Sequence, residues 1–352
     1  MKAERNQYDQ MTPKERRIAM ESGKETDRIP VIPFIGELSG RLIGVNTQEY
    51  WHDADKLVLS ELAAFRRFGH DELSLGPNTC GIVEALGGKV SYPKEGMPYF
   101  EGHLLDGYEK IKEMEPVRWG TSKRLGFFRE ALEKLKEAAG DVVDVSPSIG
   151  GPFTIASNLR GCEYFLRDLR KAPKEVHQLL RIVTDTMKSV IDMIAPFADG
   201  FRMADPVASP ALISPKYFKE FAYPYLVEIM EYGMKKIGRK PSLHICGNTK
   251  KVWTYFRQMP IRAVSLDNIM SLEEAKEELG DRFIIMGNIA PVDLILNGTN
   301  EQLQDEIQRE IDIAKDSPKG YIISSGCDVP YFSDIGKLDL WMEEVRKYFH
   351  LI

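Results

Sequence analysis

Two donors that favour soft metal ions stand two residues apart in Ser242-Leu243-His244-Ile245-Cys246-Gly247-Asn248. The segment reads as a buried strand ending in a turn. Side chains two apart on a strand point the same way, so His244 and Cys246 face one point in space. A third donor, Cys327, follows 81 residues after Cys246, in Ile323-Ser324-Ser325-Gly326-Cys327-Asp328-Val329-Pro330 and again just past an apolar run. Imidazole plus thiolate suits zinc, and three protein ligands with an open fourth position mark a catalytic site rather than a structural one. The expectation is a zinc centre made by His244, Cys246 and Cys327. A His-x-Cys pair alone is a weak signal, because single His and Cys residues at strand ends are commonly packing. The Gly-Cys at a second strand end strengthens it. Cys80, in a loop expected on the same rim, is a spare candidate ligand. Cys162, in Arg160-Gly161-Cys162-Glu163-Tyr164, reads as core or helix surface. The other five histidines have no partner pattern.

The elements that must position these donors are legible in order. Thr12, Pro13 and Glu15 sign the start of a first helix by a capping box, and Gly23 ends it. Strands are expected near residues 31, 72, 143, 201, 243, 264, 284 and 322. Helical patterns cover 54–68, 123–139, 157–170, 173–195, 214–237 (broken or kinked at Pro224), 249–258, a stretch opened by Ser271 and Glu274, 299–314 and the C-terminus. Residues 88–105, with Pro93, Gly96 and Pro98, read as an inserted irregular hairpin. Eight alternating strand–helix units with apolar strands predict an α/β fold, a single (β/α)₈ TIM barrel with an N-terminal helical extension, spanning 1–352 as one domain. An open doubly wound sheet is the alternative, but no Gly-x-Gly-x-x-Gly follows the first strand.

In such a barrel the site lies at the C-terminal ends of the strands. Chemistry-bearing residues fall there repeatedly. Glu37, Asp205 and Asp267 are the candidate catalytic acids. Asn78, Met203, Asn288 and Arg41 are the candidate substrate contacts. Asp-Pro and Asp-Asn are also common turn formers, which is the competing reading of Asp205 and Asp267.

The formal charge of −6 argues against general nucleic-acid binding. No apolar run approaches the roughly 18 residues of a membrane helix. The polar segment Met1–Gln7 lacks a signal-peptide pattern, so a cytoplasmic location with reduced cysteines is expected. The sequence leaves homo-oligomerisation open.

Several segments resemble the uroporphyrinogen decarboxylase superfamily: Gly151-Pro152-Phe153-Thr154-Ile155-Ala156-Ser157, the Asp205 segment with Ser214-Pro215, Leu266-Asp267, and Gly287-Asn288-Ile289-Ala290-Pro291-Val292-Asp293. The resemblance runs from Thr12-Pro13 to the last helix and implies a (β/α)₈ barrel. The decarboxylases carry an arginine-rich Met-Arg-Gln-Ala-Gly-Arg-Tyr segment after the first strand. Here Phe34-Ile35-Gly36-Glu37-Leu38-Ser39-Gly40-Arg41 stands in its place, poorly made for a substrate with many carboxylates. His-x-Cys-Gly-Asn-Thr at 244–249 and Gly-Cys at 326–327 are instead similar to the zinc-dependent corrinoid methyltransferase branch. That resemblance implies zinc on His244, Cys246 and Cys327, the same three residues that spacing selects.

It also implies methyl transfer between a small molecule and a corrinoid (cobalamin). No Asp-x-His-x-x-Gly cobalamin signature occurs, so a separate corrinoid protein is the expected partner. Phe34, Met203, Tyr217, Tyr223, Met286 and Phe332 near the strand ends favour a methoxylated aromatic donor, an O-demethylation. Transfer to a small thiol of the coenzyme M kind is the alternative, and it calls for a cation such as Arg41 or Arg202. Two further alternatives are a decarboxylase-like enzyme and a non-catalytic ligand-binding barrel.

Overall fold

A computed structural model describes residues 2–352. The strands in chain order are β1 Val31–Ile32, β2 Glu72–Leu73, β3 Val90–Ser91, β4 Tyr99–Phe100, β5 Asp144–Val145, β6 Ser148–Gly150, β7 Arg202–Ala204, β8 Ser242–His244, β9 Ala263–Ser265, β10 Ile284–Met286 and β11 Tyr321–Ser324. One parallel ladder runs β1-β11-β10-β9-β8-β7-β6, and β2 pairs in parallel with β5. Two joints close the ring. The Asp71 N–H donates to Val31 O at 2.8 Å, and the Val31 N–H donates to Asp71 Oδ2 at 2.7 Å. The other joint is the third strand, which is broken. Pro147 has no N–H to give to a ladder, so β5 turns to β2 and β6 turns to β7 on either side of Ser146-Pro147. The result is a (β/α)₈ barrel with helices outside, as the alternating pattern predicts.

Strand alternation decides which side chains look inward. Ile32, Phe34, Ala263, Ile284, Met286 and Ile322 form one buried cluster inside the barrel. Val31, Ile285 and Ile323, the intervening residues, pack into the larger core beneath the helices. Each such aliphatic side chain contributes about 1.5–3 kcal/mol by leaving water. The 22-residue helix Pro173–Ile194 shows the outer layer, with Val176, Leu180, Val183, Met187, Val190 and Ile194 buried on one face.

The first helix spans Pro13–Glu21 with the expected capping box, and the helices Ala54–Phe68 and Lys123–Ala139 coincide with their predicted ranges. The insert is an antiparallel hairpin in which Val90 pairs with Phe100. Several details differ. Gly161, at φ +84°, divides the expected 157–170 helix into Pro152–Arg160 and Cys162–Lys171. The 214–237 helix begins as Pro215–Tyr217, widens to a π-turn over Phe218–Ala222, and continues as Tyr223–Ile237. Pro224 sits in the first turn of that last piece, where its missing N–H costs nothing. The loops around Glu37 and Cys80 are helical instead, a 3₁₀ stretch Gly36–Ile43 and a helix Asn78–Ala85. No described helix is long and apolar enough to cross a membrane.

Candidate metal centre

His244 ends β8, and the register Ala204↔His244↔Ser265 sets it on the inner face between two small neighbours. Ser265 Oγ lies 3.1 Å from His244 Nδ1, which leaves Nε2 to point at the Cys246 sulfur, 3.2 Å away. The chain then turns at Gly247, whose φ of +78° favours glycine and whose absent Cβ makes room for Ser209 Oγ. The Gly247 N–H donates to Asp267 Oδ2 at 2.6 Å, so the loop after β9 clamps the turn that carries Cys246.

Cys327 arrives from β11 through Ser325-Gly326. The Phe34 N–H donates to Ser325 Oγ at 3.1 Å, and the Gly326 N–H donates to Ile289 O at 2.8 Å. A Cβ on Gly326 would stand 2.5 Å from the Asn268 nitrogen, so only glycine lets this loop close on its neighbour. The ligand-type atoms of His244, Cys246 and Cys327 all lie within 4.8 Å of one another, and among the described residues no fourth His, Cys, Asp or Glu joins the group. One imidazole and two sulfurs at that separation fit a zinc ion by donor chemistry. The hydrogen bond between the two thiols, helped by His244 and opposed by burial, draws the Cys327 thiol down. The same bond, together with burial, raises Cys246.

The three donors line a cavity of about 250 Å³ whose other walls include Phe34, Glu37, Trp51, Asn78, Arg202 and Asp328. Phe34, Trp51, Asn78, Ser148, Arg202 and Asp328 also border a smaller, inner chamber of about 70 Å³, reaching Glu72, His70 and Ser74. Burial, with the charges of Asp328 and Glu61 nearby, pushes the Glu37 carboxyl up to about 7. Burial likewise pushes Asp328 up to about 6, with the Cys327 thiolate adding to the rise.

The remaining sequence candidates divide by strand parity. Asp205 is fully buried, and its carboxylate accepts from the Thr154 N–H at 2.7 Å and the Phe153 N–H at 3.4 Å. It caps the N-terminus of the helix Pro152–Arg160 and faces away from the cavity, so the expected catalytic role is corrected to a structural one. Met203 is 1% exposed and lies on that outward side too, packed in the core rather than against a substrate. Asp267 clamps the Gly247 turn. Asn288 Nδ2 donates to Asp267 O and to Met270 O, both at 2.9 Å, and so supports that clamp instead of lining the cavity. Arg41 Nη1 donates to Tyr331 O at 2.6 Å and Ser333 O at 2.8 Å, bracing the loop after Cys327. Glu37 and Asn78 do line the cavity.

Cys80 borders the cavity as well but stands outside the three-donor group, with burial first among the causes that push its thiol up to about 12. Cys162 is exposed. Of the apolar residues expected to form an aromatic lining, Phe34 does so. Met203 and Met286 are core, Phe332 is 64% exposed, and Tyr217 and Tyr223 pack with Phe221 and Tyr255. Trp51, Ser148 and Asp328 are cavity residues that sequence reasoning missed. Asp328 could have been found as the residue next to Cys327, whereas Trp51 lies in the short helix Thr47–His52, away from any strand end.

Barrel and donors together define a class: a (β/α)₈ barrel with an imidazole–dithiol cluster in a cavity at its C-terminal rim. The chain belongs to the uroporphyrinogen decarboxylase (URO-D) family, which it matches over residues 12–348. A methylcobamide:CoM methyltransferase of Methanosarcina acetivorans is 24% identical over 96% of this chain and 98% of its own length. A methylated-thiol–coenzyme M methyltransferase of Methanosarcina mazei is also 24% identical, over 96% of this chain and 90% of its own. The uroporphyrinogen decarboxylase of Schizosaccharomyces pombe is 26% identical over 76% of each chain. Among solved structures, a methyltransferase from Methanosarcina mazei superposes with a TM-score of 0.80 at 23% identity, covering 97% of this chain and 100% of that one.

Proposed function

We propose that this chain is a zinc-dependent methyltransferase that moves a methyl group between the cobalt of a corrinoid held by a separate protein and the sulfur of a small thiol. The observation that carries the reading is the convergence of His244, Cys246 and Cys327 within 4.8 Å at a cavity wall. These three side chains would hold the ion. Zinc there supplies Lewis acidity, which lowers the pKa of a bound thiol. Ser265 fixes the His244 ring so that Nε2 is the free donor, and Asp267 fixes the turn of Cys246. Cys246 and Cys327 would supply the two sulfur ligands.

The reaction balances simply. The thiolate sulfur attacks the methyl carbon, the carbon–cobalt bond breaks, and its electron pair stays on cobalt, giving a thioether and the reduced corrinoid. The names of the methyltransferase relatives favour a thiol over a methoxylated aromatic, and the scattering of the expected aromatic lining removes the reason for the aromatic donor. The family's decarboxylase chemistry fits less well. Arg202 is the one arginine among the described residues lining the two chambers, and it is paired with Glu72.

Metal analysis of the purified protein tests the centre. The expected content is about one zinc per chain, lost on His244→Ala and on Cys327→Ser. Wild-type protein with far less than one zinc defeats the reading. Zinc-loaded protein mixed with methylcobalamin and thiols should convert the cobalt spectrum to the reduced form. A spectrum unchanged by every thiol counts equally against it.

A further inference from the structure

The chambers beside the three donors hold more hydrogen-bonding capacity than the protein uses. Glu37 Oε1, Asn78 Oδ1 and Trp51 Nε1 in the cavity, and His70 Nδ1, Glu72 Oε1 and Ser74 Oγ in the inner chamber, have no hydrogen-bond partner. Glu37 is 6% exposed and His70 2%, so these are buried groups rather than solvated ones. A buried polar atom without a partner costs about 1–3 kcal/mol, and such groups are rare unless something else fills the role. Three of the six are acceptor oxygens, the serine and the imidazole can also accept, and the Trp51 indole alone can only donate, so acceptors outnumber donors.

Cations are few beside the chambers, and Glu72, the ion-pair partner of Arg202, is shared with Arg262. Arg41 is bound to the carbonyls of Tyr331 and Ser333, outside the cavity. Arg202 lines both chambers, but its guanidinium lies 3.8 Å from the centroid of the Phe34 ring and 3.5 Å from Glu72. Burial holds His70 neutral, its pKa lowered to about 4. Opposite them stand the carboxyls of Glu37 and Asp328, neither ion-paired among the described residues, with the rings of Phe34 and Trp51 as walls. A sulfonate or carboxylate tail would find Arg202 and the Trp51 N–H here, but against two unpaired acids and a majority of acceptors. A protonated amine has three N–H donors and a positive charge, and it matches both the acceptors and the Trp51 ring.

We propose that the small molecule taken by this chain carries a protonated amine at the end remote from its sulfur, received by Glu37 and Asn78. The inference rests on the thiol methyl-transfer reading and narrows its substrate to an amino-thiol class. The raised pKa of Glu37 agrees with it, being that of a buried carboxyl lacking its counter-cation.

Equilibrium binding to the purified full chain, zinc-loaded, distinguishes the possibilities with three thiols of similar length: 2-aminoethanethiol, 2-mercaptoethanesulfonate and 1-propanethiol. The expected result is binding of the aminothiol at least about tenfold tighter than either of the others. Glu37→Gln should erase that preference while zinc content and propanethiol binding persist. Equal or tighter binding of the sulfonate by the wild-type protein overturns the inference, whatever the variant does. So does a preference for the aminothiol that survives in folded Glu37→Gln protein. If none of the three thiols binds, the underlying methyl-transfer reading falls with it.

Discussion

Ser265 is a small residue with a large claim on the centre. Its hydroxyl meets His244 Nδ1 at 3.1 Å because β8 and β9 are in register at that point. Groups that hold the second nitrogen of a ligating imidazole set its tautomer and orientation, and their loss commonly costs 10–100-fold in metal affinity. Ser265→Ala is therefore expected to weaken zinc binding by about tenfold, read by competition with a chromogenic chelator, with the fold intact by circular dichroism. An affinity equal to wild type would show that the imidazole is held by something else. Cys80→Ala is the matching control. Cys80 shares the cavity but not the donor cluster, so zinc stoichiometry should stay at the wild-type level. At this scale the sequence spoke clearly for His244 and Cys246, because a two-residue spacing on a strand fixes direction. It misled for Met203 and Asp205 by one position of parity. Arg202 and Ala204 share the inner face with His244, and the residues between and after them turn outward.

Among elements, the helix Asn300–Ala314 reaches into the barrel rim through one acid. Glu310 is fully buried and accepts from the Asn288 N–H at 3.1 Å, and its other contact is the Tyr321 hydroxyl, 2.9 Å away. Tyr321 already donates its proton to Gly287 O at 2.5 Å, so the Glu310–Tyr321 contact is satisfied when Glu310 carries the proton and donates. Burial agrees, raising Glu310 from 4.5 to about 8. The sign of the linkage follows. Below about 4.5 the folded and unfolded forms both bind this proton. Between about 4.5 and 8 only the folded form does, so stability falls as pH rises through that window. Glu310→Gln, a mimic of the neutral acid, should remove this decline. Urea unfolding of both proteins from pH 5 to 8 should show wild type losing ground to the variant, and parallel curves would refute the buried proton. This acid supports Asn288, which supports the loop of Asp267, so the helix steadies the Cys246 turn at third hand. The helices themselves were well read from capping boxes and apolar periodicity. What the sequence hid were local departures from regular geometry. The π-turn at Phe218–Ala222 and the split at Gly161 keep the helical pattern while changing its phase.

Across the whole molecule, the site is legible only once the barrel is closed. His244 and Cys327 lie on β8 and at the end of β11, with β9 and β10 between them, and nothing in their spacing states that both look into one cavity. Trp51 and Ser148 were missed for the same reason, since one rides on a helix and the other on half of a broken strand. Closure depends on the seam between β1 and β2, and that seam has a side chain where a ladder bond would be. Asp71 Oδ2 accepts from the Val31 N–H, while its carboxylate also binds Arg16 and Arg28. Both guanidiniums are fully buried, and Asp9 binds Arg28 at 2.8 Å and Arg346 at 2.9 Å. One ionic cluster thus ties the N-terminal segment, the first helix, the seam and the C-terminal helix Ile335–Tyr348 together. Removing one partner from a buried ionic network leaves the others uncompensated at about 3–5 kcal/mol. Asp71→Ala is expected to lose that much in urea unfolding. Asp71→Asn should lose less, because it keeps an acceptor for Val31 while giving up the charge. If Asp71→Ala instead costs under about 1 kcal/mol, the range of an exposed ion pair, the barrel is closed by its apolar layers alone and the cluster is incidental to the placement of the metal centre.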